Sequence, residues 1–178
     1  MRIKSKLNLL IMLLFLFVFT GQVSVYAVDA VNPNDLKGQE VPIFYLKDQN
    51  NNPFKLEDHI GKVIVVNFFF TGCKSCRKEL PMLYSITKEL PKDKFILSVI
   101  NGTKETPDAI KGFFKDINVE GLSALVDSLG IQAKRFNISD YPTSFLVDKS
   151  GVVVDVFVGF PEGNLSELQK KINNLIGN

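Results

Sequence analysis

Residues Val63-Ile64-Val65-Val66-Asn67-Phe68-Phe69-Phe70 form a nearly continuous run of apolar, mostly β-branched and aromatic side chains. Strands that face solvent alternate apolar and polar residues. A run without alternation predicts a strand covered on both faces, in the middle of a sheet. Thr71-Gly72 ends the run, and a helical pattern follows from about Cys73 to Leu90, with Leu80, Leu83, Ile86 and Leu90 at helical spacing and Pro81 inside it. A buried strand feeding directly into a helix is the start of a parallel crossover, so this one stretch commits the chain to an α/β architecture.

The rest of the chain agrees. Val41 to Lys47 reads as a short strand, Asp48 to Pro53 as turn chemistry, Phe54 to Leu56 as a returning strand, and Glu57 to Ile60 as a helical turn stopped by Gly61. Phe95 to Ile100 is a second buried strand. Ile110, Phe113, Phe114 and Ile117 mark an amphipathic helix over Pro107 to Ile117. Leu122 to Val126 reads as a short strand and Leu129 to Phe136 as a short helix. Thr143–Val147 and Val152–Phe157 are strands joined by Asp148-Lys149-Ser150-Gly151, with Gly151 at a positive-φ turn position. Leu165, Leu168, Ile172 and Ile176 close the chain as an amphipathic helix. The expected fold is a parallel sheet core finished by an antiparallel hairpin and flanked by helices.

Both cysteines of the chain lie in one C-x-x-C, Cys73-Lys74-Ser75-Cys76, at the strand-to-helix junction. Cys73 there meets the unpaired N–H groups and positive dipole end of the helix, which favour a thiolate, and Lys74 adds charge of the same sign. Cys76 lies within the first turn on the same side and is expected to be the more buried. The arrangement suits disulfide exchange: Cys73 attacks a substrate disulfide, and Cys76 resolves the mixed disulfide. Three other readings compete. A structural disulfide closing so short a loop gains little, roughly 2 kcal/mol against ~3 for a fifteen-residue loop. A metal site would have only His59 as a further soft ligand, and His59 reads as a surface residue. A peroxidase site would need a threonine at a different spacing from that of Thr71, within a longer proline-containing loop.

At 178 residues the length suits one domain. The first 27 residues carry Arg2, Lys4 and Lys6 and no acid; the remainder holds 18 basic and 19 acidic residues, which argues against a nucleic-acid partner. The amino terminus has a positive start, an apolar run from Leu9 to Phe19 and a small-residue site at Val25-Tyr26-Ala27, the pattern of an export signal. Eleven helical residues rise only ~16 Å against a ~30 Å hydrocarbon core, but the uncharged stretch from Leu7 to Val28 also admits an uncleaved membrane anchor. Either way the body, with a polar linker over 28–40 and a domain over 41–178, is expected outside the cytoplasm.

Gly61 to Phe68, Cys73-x-x-Cys76-Arg77-Lys78-Glu79-Leu80-Pro81, and Tyr141-Pro142-Thr143-Ser144-Phe145-Leu146-Val147-Asp148 with Gly151 together resemble the TlpA/ResA-like thioredoxins. The resemblance spans about Val41 to Asn178 and implies a thioredoxin fold with an N-terminal β extension and an α–β insert. It implies an extracytoplasmic thiol–disulfide oxidoreductase in which Cys73 attacks, Cys76 resolves, and Pro142 is a cis-proline beside the thiols, exposing the Tyr141 backbone to the substrate chain. It further implies that Glu79 tunes the thiols or moves protons; a solvated helix glutamate is the plainer alternative. Two positions need comment. Gly72 stands where the family usually has tryptophan, and the chain has no tryptophan at all; the site is expected to be more open there, with Phe70 a possible lining residue. Asn67 stands where cytoplasmic thioredoxins have a buried aspartate, so proton transfer falls to Glu79 or water.

The expected function is therefore reduction of disulfides in exported proteins, such as those of cytochrome c maturation or of the envelope or spore. The disulfide itself carries the electrons, so no cofactor is expected. The resemblance implies a membrane electron donor of the CcdA type, and the protein is expected to be a monomer. An oxidant that donates its disulfide and a metal-binding module on the same scaffold are the alternatives.

Overall fold

The structure is a computed structural model and describes residues 32–161 and 164–177. The export signal or anchor expected over residues 1–27 lies outside the described residues. The elements in chain order are β1 (Tyr45–Lys47), β2 (Pro53–Lys55), β3 (Val63–Phe69), α1 (Lys74–Glu89), β4 (Phe95–Asn101), α2 (Pro107–Asp116), β5 (Ala124–Val126), α3 (Ile131–Arg135), β6 (Thr143–Val147), β7 (Val153–Val158) and α4 (Asn164–Gly177).

Five strands form one sheet in the order β5-β4-β3-β6-β7. β3 runs parallel to β4, and β4 to β5, while β6 and β7 are antiparallel. This is the thioredoxin-like arrangement expected from the sequence. β3 lies at the centre, and all seven of its residues are buried, which is why it shows no alternation. Its two faces serve different cores. Ile64, Val66 and Phe68 pack with Phe136 and Phe145 on one side. Val63 and Val65 pack with Leu83, Ile86, Leu168 and Ile172 on the other, where α1 and α4 contribute. Phe69 joins a third cluster with both cysteines, Leu80, Ile110, Phe113 and Phe114.

Several boundaries differ from the sequence reading. The segment expected as a linker over 28–40 is docked from Asn32 onward. Pro33–Leu36 forms a 3-10 turn that buries Leu36, the Gly38 N–H donates to the Val153 carbonyl, and Glu40 bridges Val152. Its polar composition hid one apolar anchor and a backbone pairing that composition cannot report. β1 begins at Tyr45 and not Val41, because Val41 is spent on the turn at Gly151, to whose carbonyl its N–H donates. α3 begins at Ile131 and not Leu129: Gly130 is left-handed at φ 68°, and the Asp127 carboxylate caps the N–H groups of Ile131, Gln132 and Ala133 at 2.8–3.0 Å. The outer edge of β5 is covered by the chain leaving β1. Gln49 bonds Ala124 through both backbone and side chain, so this edge is not open for pairing.

Candidate active site around Cys73 and Cys76

Cys73 is the N-cap of α1, and its sulfur accepts the Cys76 N–H at 3.0 Å. The buried strand β3 ends at Phe69, and the Cys73 N–H closes a turn on the Phe70 carbonyl, which places the sulfur over the first turn of the helix. The two cysteines are joined as a disulfide. Cys76 is fully buried and Cys73 slightly exposed, the order needed for one thiol to meet a partner and the other to resolve. Helix N–H groups that point at Cys73 stabilise its thiolate once the bond is reduced.

Glu79 lies three residues after Cys76, on the same helix face. It is only 4% exposed, which rules out the solvated-glutamate reading. The Asn67 amide donates to Glu79 Oε2 at 2.9 Å and to the Ser144 hydroxyl at 2.8 Å. Register explains the meeting: Asn67 on β3 stands opposite Ser144 on β6, and both look toward α1. Burial pushes the Glu79 carboxyl up to about 7, and the Asn67 bond only partly offsets this. A carboxyl poised there near neutral pH can take or give a proton beside the thiols. Asn67 carries an amide and no titratable carboxyl; its side chain holds Glu79 in place.

The Tyr141–Pro142 peptide is cis and leads straight into β6. Tyr141 is half-buried. Its hydroxyl donates to the Gly102 carbonyl at 3.1 Å, and its ring meets Phe70 edge-on at 5.3 Å. Burial raises the Tyr141 pKa, and the charges of Asp127 and Glu105 raise it further, so the phenol stays protonated and donating.

Gly72 is exposed, and a Cβ on it would lie 3.0 Å from Phe70 Cε2. Phe70 is the lining residue that the sequence suggested beside this position. The Phe70 ring fills the space next to Gly72 and packs against the cluster that holds both cysteines. An apolar plate is present, supplied two residues earlier in the chain.

Glu105, which the sequence reading passed over, ties the site together. It accepts from the Thr71 N–H at 3.0 Å, from the Thr71 hydroxyl, and from the Asn101 amide. These bonds keep its carboxyl below its ordinary pKa despite the cost of burial. The loop after β4 thus grips the loop before Cys73 through Glu105 and the segment before β6 through Gly102. A lone glutamate in a polar loop carries no sequence signal of such a role. His59 stacks on Phe54 at 4.7 Å in the β-hairpin region. Among the described residues no group of three His, Cys, Asp or Glu side chains is placed to hold a metal ion.

Comparison with known proteins fits this geometry. The sequence pattern of the AhpC/TSA family matches residues 37–156. The thioredoxin-like protein YneN of Bacillus subtilis is 32% identical over 150 residues, covering 84% of this chain and 87% of that protein. The thiol-disulfide oxidoreductase ResA of Bacillus cereus is 30% identical over 172 residues, covering 94% and 98%. Among solved structures, a thiol:disulfide interchange protein of the thioredoxin family from Chlorobium tepidum superposes with a TM-score of 0.68 at 25% identity, over 79% of this chain and 98% of that one.

Proposed function

The chain belongs to the AhpC/TSA family as a thiol–disulfide oxidoreductase of the ResA type, and we propose that in this role it reduces disulfides in proteins outside the cytoplasm. The observation that carries the exchange chemistry is the Cys73–Cys76 pair at the N-terminus of α1 with the buried Glu79 carboxyl on the face of Cys76; the reducing direction is the part that the potential tests. Exchange in either direction moves a proton on or off the buried second thiol, and a carboxyl with a pKa of about 7 is matched to that task.

In the proposed cycle the reduced protein presents Cys73 as a thiolate. It attacks one sulfur of the substrate disulfide; a Cys73–substrate bond forms, and the first substrate sulfur leaves as a thiolate. Glu79 accepts the Cys76 proton, directly or through water. The Cys76 thiolate then attacks Cys73, the internal disulfide closes, and the second substrate sulfur leaves. Two electrons pass to the substrate, whose two sulfurs take up two protons. The oxidised protein must next receive two electrons from a dithiol donor. A membrane electron carrier of the CcdA type fits a protein held outside the cytoplasm. The cis-Pro142 segment and the Phe70 ring flank the thiols where the substrate chain would lie. Substrates of the kind met in cytochrome c maturation or the envelope suit an exported reductase. The chain is proposed to act as a monomer.

The test is the reduction potential of the Cys73/Cys76 pair, measured by equilibration with defined thiol buffers. A value of about −270 mV supports the reductase direction. A value near ~−120 mV overturns it and makes the protein an oxidant that donates its disulfide.

A further inference from the structure

Lys74, Arg77 and Lys78 are all exposed, and the first turn of α1 holds no acidic residue. That is an unfavourable composition for this end of a helix. The dipole places partial positive charge there, so anionic side chains are the stabilising choice. Arg77 and Lys78 also stand three and four residues after Lys74. The three are therefore neighbours on one helix surface, and like charges at that spacing repel. Nothing nearby compensates them. The ion pairs among the described residues join Lys37 and Lys171 to Asp155 and Lys171 to Glu167, and none involves these cations. Glu79, the next acid along the helix, is buried and bonded to Asn67.

The cluster stands out against balanced surroundings. α2 packs on the same site, with the Arg77 guanidinium 5.0 Å from the centroid of the Phe113 ring. Its exposed charges are Asp108, Lys111, Lys115 and Asp116, two of each sign. In the loops beside the thiols, exposed Lys104 and Asp140 offset each other, and Glu105 directs its carboxylate onto Thr71 and Asn101. The positive excess at the exposed surface around Cys73 therefore comes from α1.

The place of the cluster identifies what meets it. Lys74 follows Cys73 directly, and the Arg77 N–H donates to the Cys73 carbonyl at 3.1 Å. At 1.5 Å of rise per residue, all three cations begin within roughly 8 Å of Cys73 along the helix, about one Debye length at physiological salt. Cys73 is 6% exposed and Cys76 fully buried, so a partner sulfur has to come to Cys73. A lipid surface can lie anywhere on the protein. A substrate chain cannot exchange without entering the field of these three side chains.

We propose that Lys74, Arg77 and Lys78 form an electrostatic docking surface for the polypeptide that carries the substrate disulfide, favouring chains with aspartate or glutamate beside the reacting cysteine. The proposal rests on the thiol–disulfide exchange reading of the site. Carboxylates of the substrate relieve the repulsion among the three cations and satisfy a surface that the protein leaves unpaired. Steering of this kind acts on the rate of encounter and weakens with salt.

The experiment uses the reduced full-length chain and two double variants, Arg77→Gln/Lys78→Gln and, with the Arg77 contact to Phe113 left intact, Lys74→Gln/Lys78→Gln. A third, Lys92→Gln/Lys94→Gln, removes the same charge just before β4, at the end of the sheet opposite Cys73. Second-order rates are measured at low salt against one cyclic peptide disulfide made with glutamate, glutamine or lysine beside its cysteines. The glutamate-to-glutamine rate ratio is expected to fall about tenfold from parent to either α1 variant, and the lysine-to-glutamine ratio to rise. The Lys92/Lys94 variant should keep the parent's ratios, and high salt should abolish the difference. A change in Cys73 acidity alters all three rates together and cancels in these ratios. Unchanged ratios in both α1 variants overturn the docking surface and leave the exchange reading standing. A fall of all three rates by one factor also overturns it, since the charges would then act on the thiol alone. The same selective loss in the Lys92/Lys94 variant overturns it by showing that net charge suffices. Failure of the parent to reduce any of the three peptides overturns the exchange reading instead. Binding to vesicles of anionic phospholipid that both α1 variants lose, with peptide ratios unchanged, assigns the cations to a membrane surface and refutes the proposal.

Discussion

Glu79→Gln should make the protein more stable at alkaline pH and leave it unchanged in acid. Glu79 is 4% exposed and accepts a hydrogen bond from the Asn67 amide. In the folded chain its pKa is raised from 4.5 to about 7. The unfolded chain therefore gives up this proton near pH 4.5, while the folded chain keeps it until about pH 7. Between these values the folded state binds more protons than the unfolded one, so stability falls as pH rises, and above about pH 7 the full cost is in force. At roughly 1.4 kcal/mol per pH unit the gap amounts to about 3 kcal/mol, an upper figure because buried sites relax. Glutamine has nearly the same shape and still offers an acceptor to Asn67, but carries no charge at any pH. Urea unfolding of the oxidised protein should give coincident midpoints for the two proteins at pH 4. At pH 8.5 the variant's midpoint should lie higher, with unchanged m-value, by up to about 3 kcal/mol when converted. The same substitution should slow closure of the mixed disulfide near neutral pH if Glu79 is the proton acceptor proposed for Cys76. A pH-independent offset between the two unfolding curves, or a variant less stable at pH 8.5, would refute the argument that burial sets this pKa.

Two further outcomes test the assignments around the thiols. Cys76→Ser should accumulate mixed disulfides with substrate proteins on non-reducing gels, and Cys73→Ser should not, because only Cys73 reaches the surface; equal trapping by both would sink the division of roles. Gly102→Ala places a methyl 2.6 Å from the Tyr141 hydroxyl oxygen and 3.0 Å from its Cε1, so it should cost about 1–3 kcal/mol by thermal or urea unfolding. The cost should shrink in a Tyr141→Phe background, where the clashing oxygen is gone, and an undiminished cost would show that Gly102 is small for some other reason.

The parts of this site that the sequence displays are those in which one residue type solves a local problem. The run Val63 to Phe70 reads as a central strand because both of its faces are covered. Cys73 and Cys76 can be placed because a C-x-x-C between a buried strand and a helix leaves few geometries. Gly151 takes a positive φ, at 88°, as its turn demands. The parts that stay hidden depend on pairs far apart in the chain. Asn67 meets Glu79 and Ser144 only because β6 lies beside β3 in one register; a slip of one residue would turn Ser144 to the opposite face and leave the Asn67 amide without that partner. Glu105 reaches Thr71 across 34 residues because two parallel strands end side by side, and nothing about a glutamate in a polar loop announces it. Gly72 shows the same limit from the other side. Read position by position, it is a missing aromatic residue. In space a Cβ on Gly72 would come within 3.0 Å of the Phe70 ring, so the aromatic neighbour of this position is supplied from two residues earlier in the chain. A side chain added at Gly72 would therefore press on the Phe70 ring, and through it on the edge-on contact with Tyr141 beside the cis-proline.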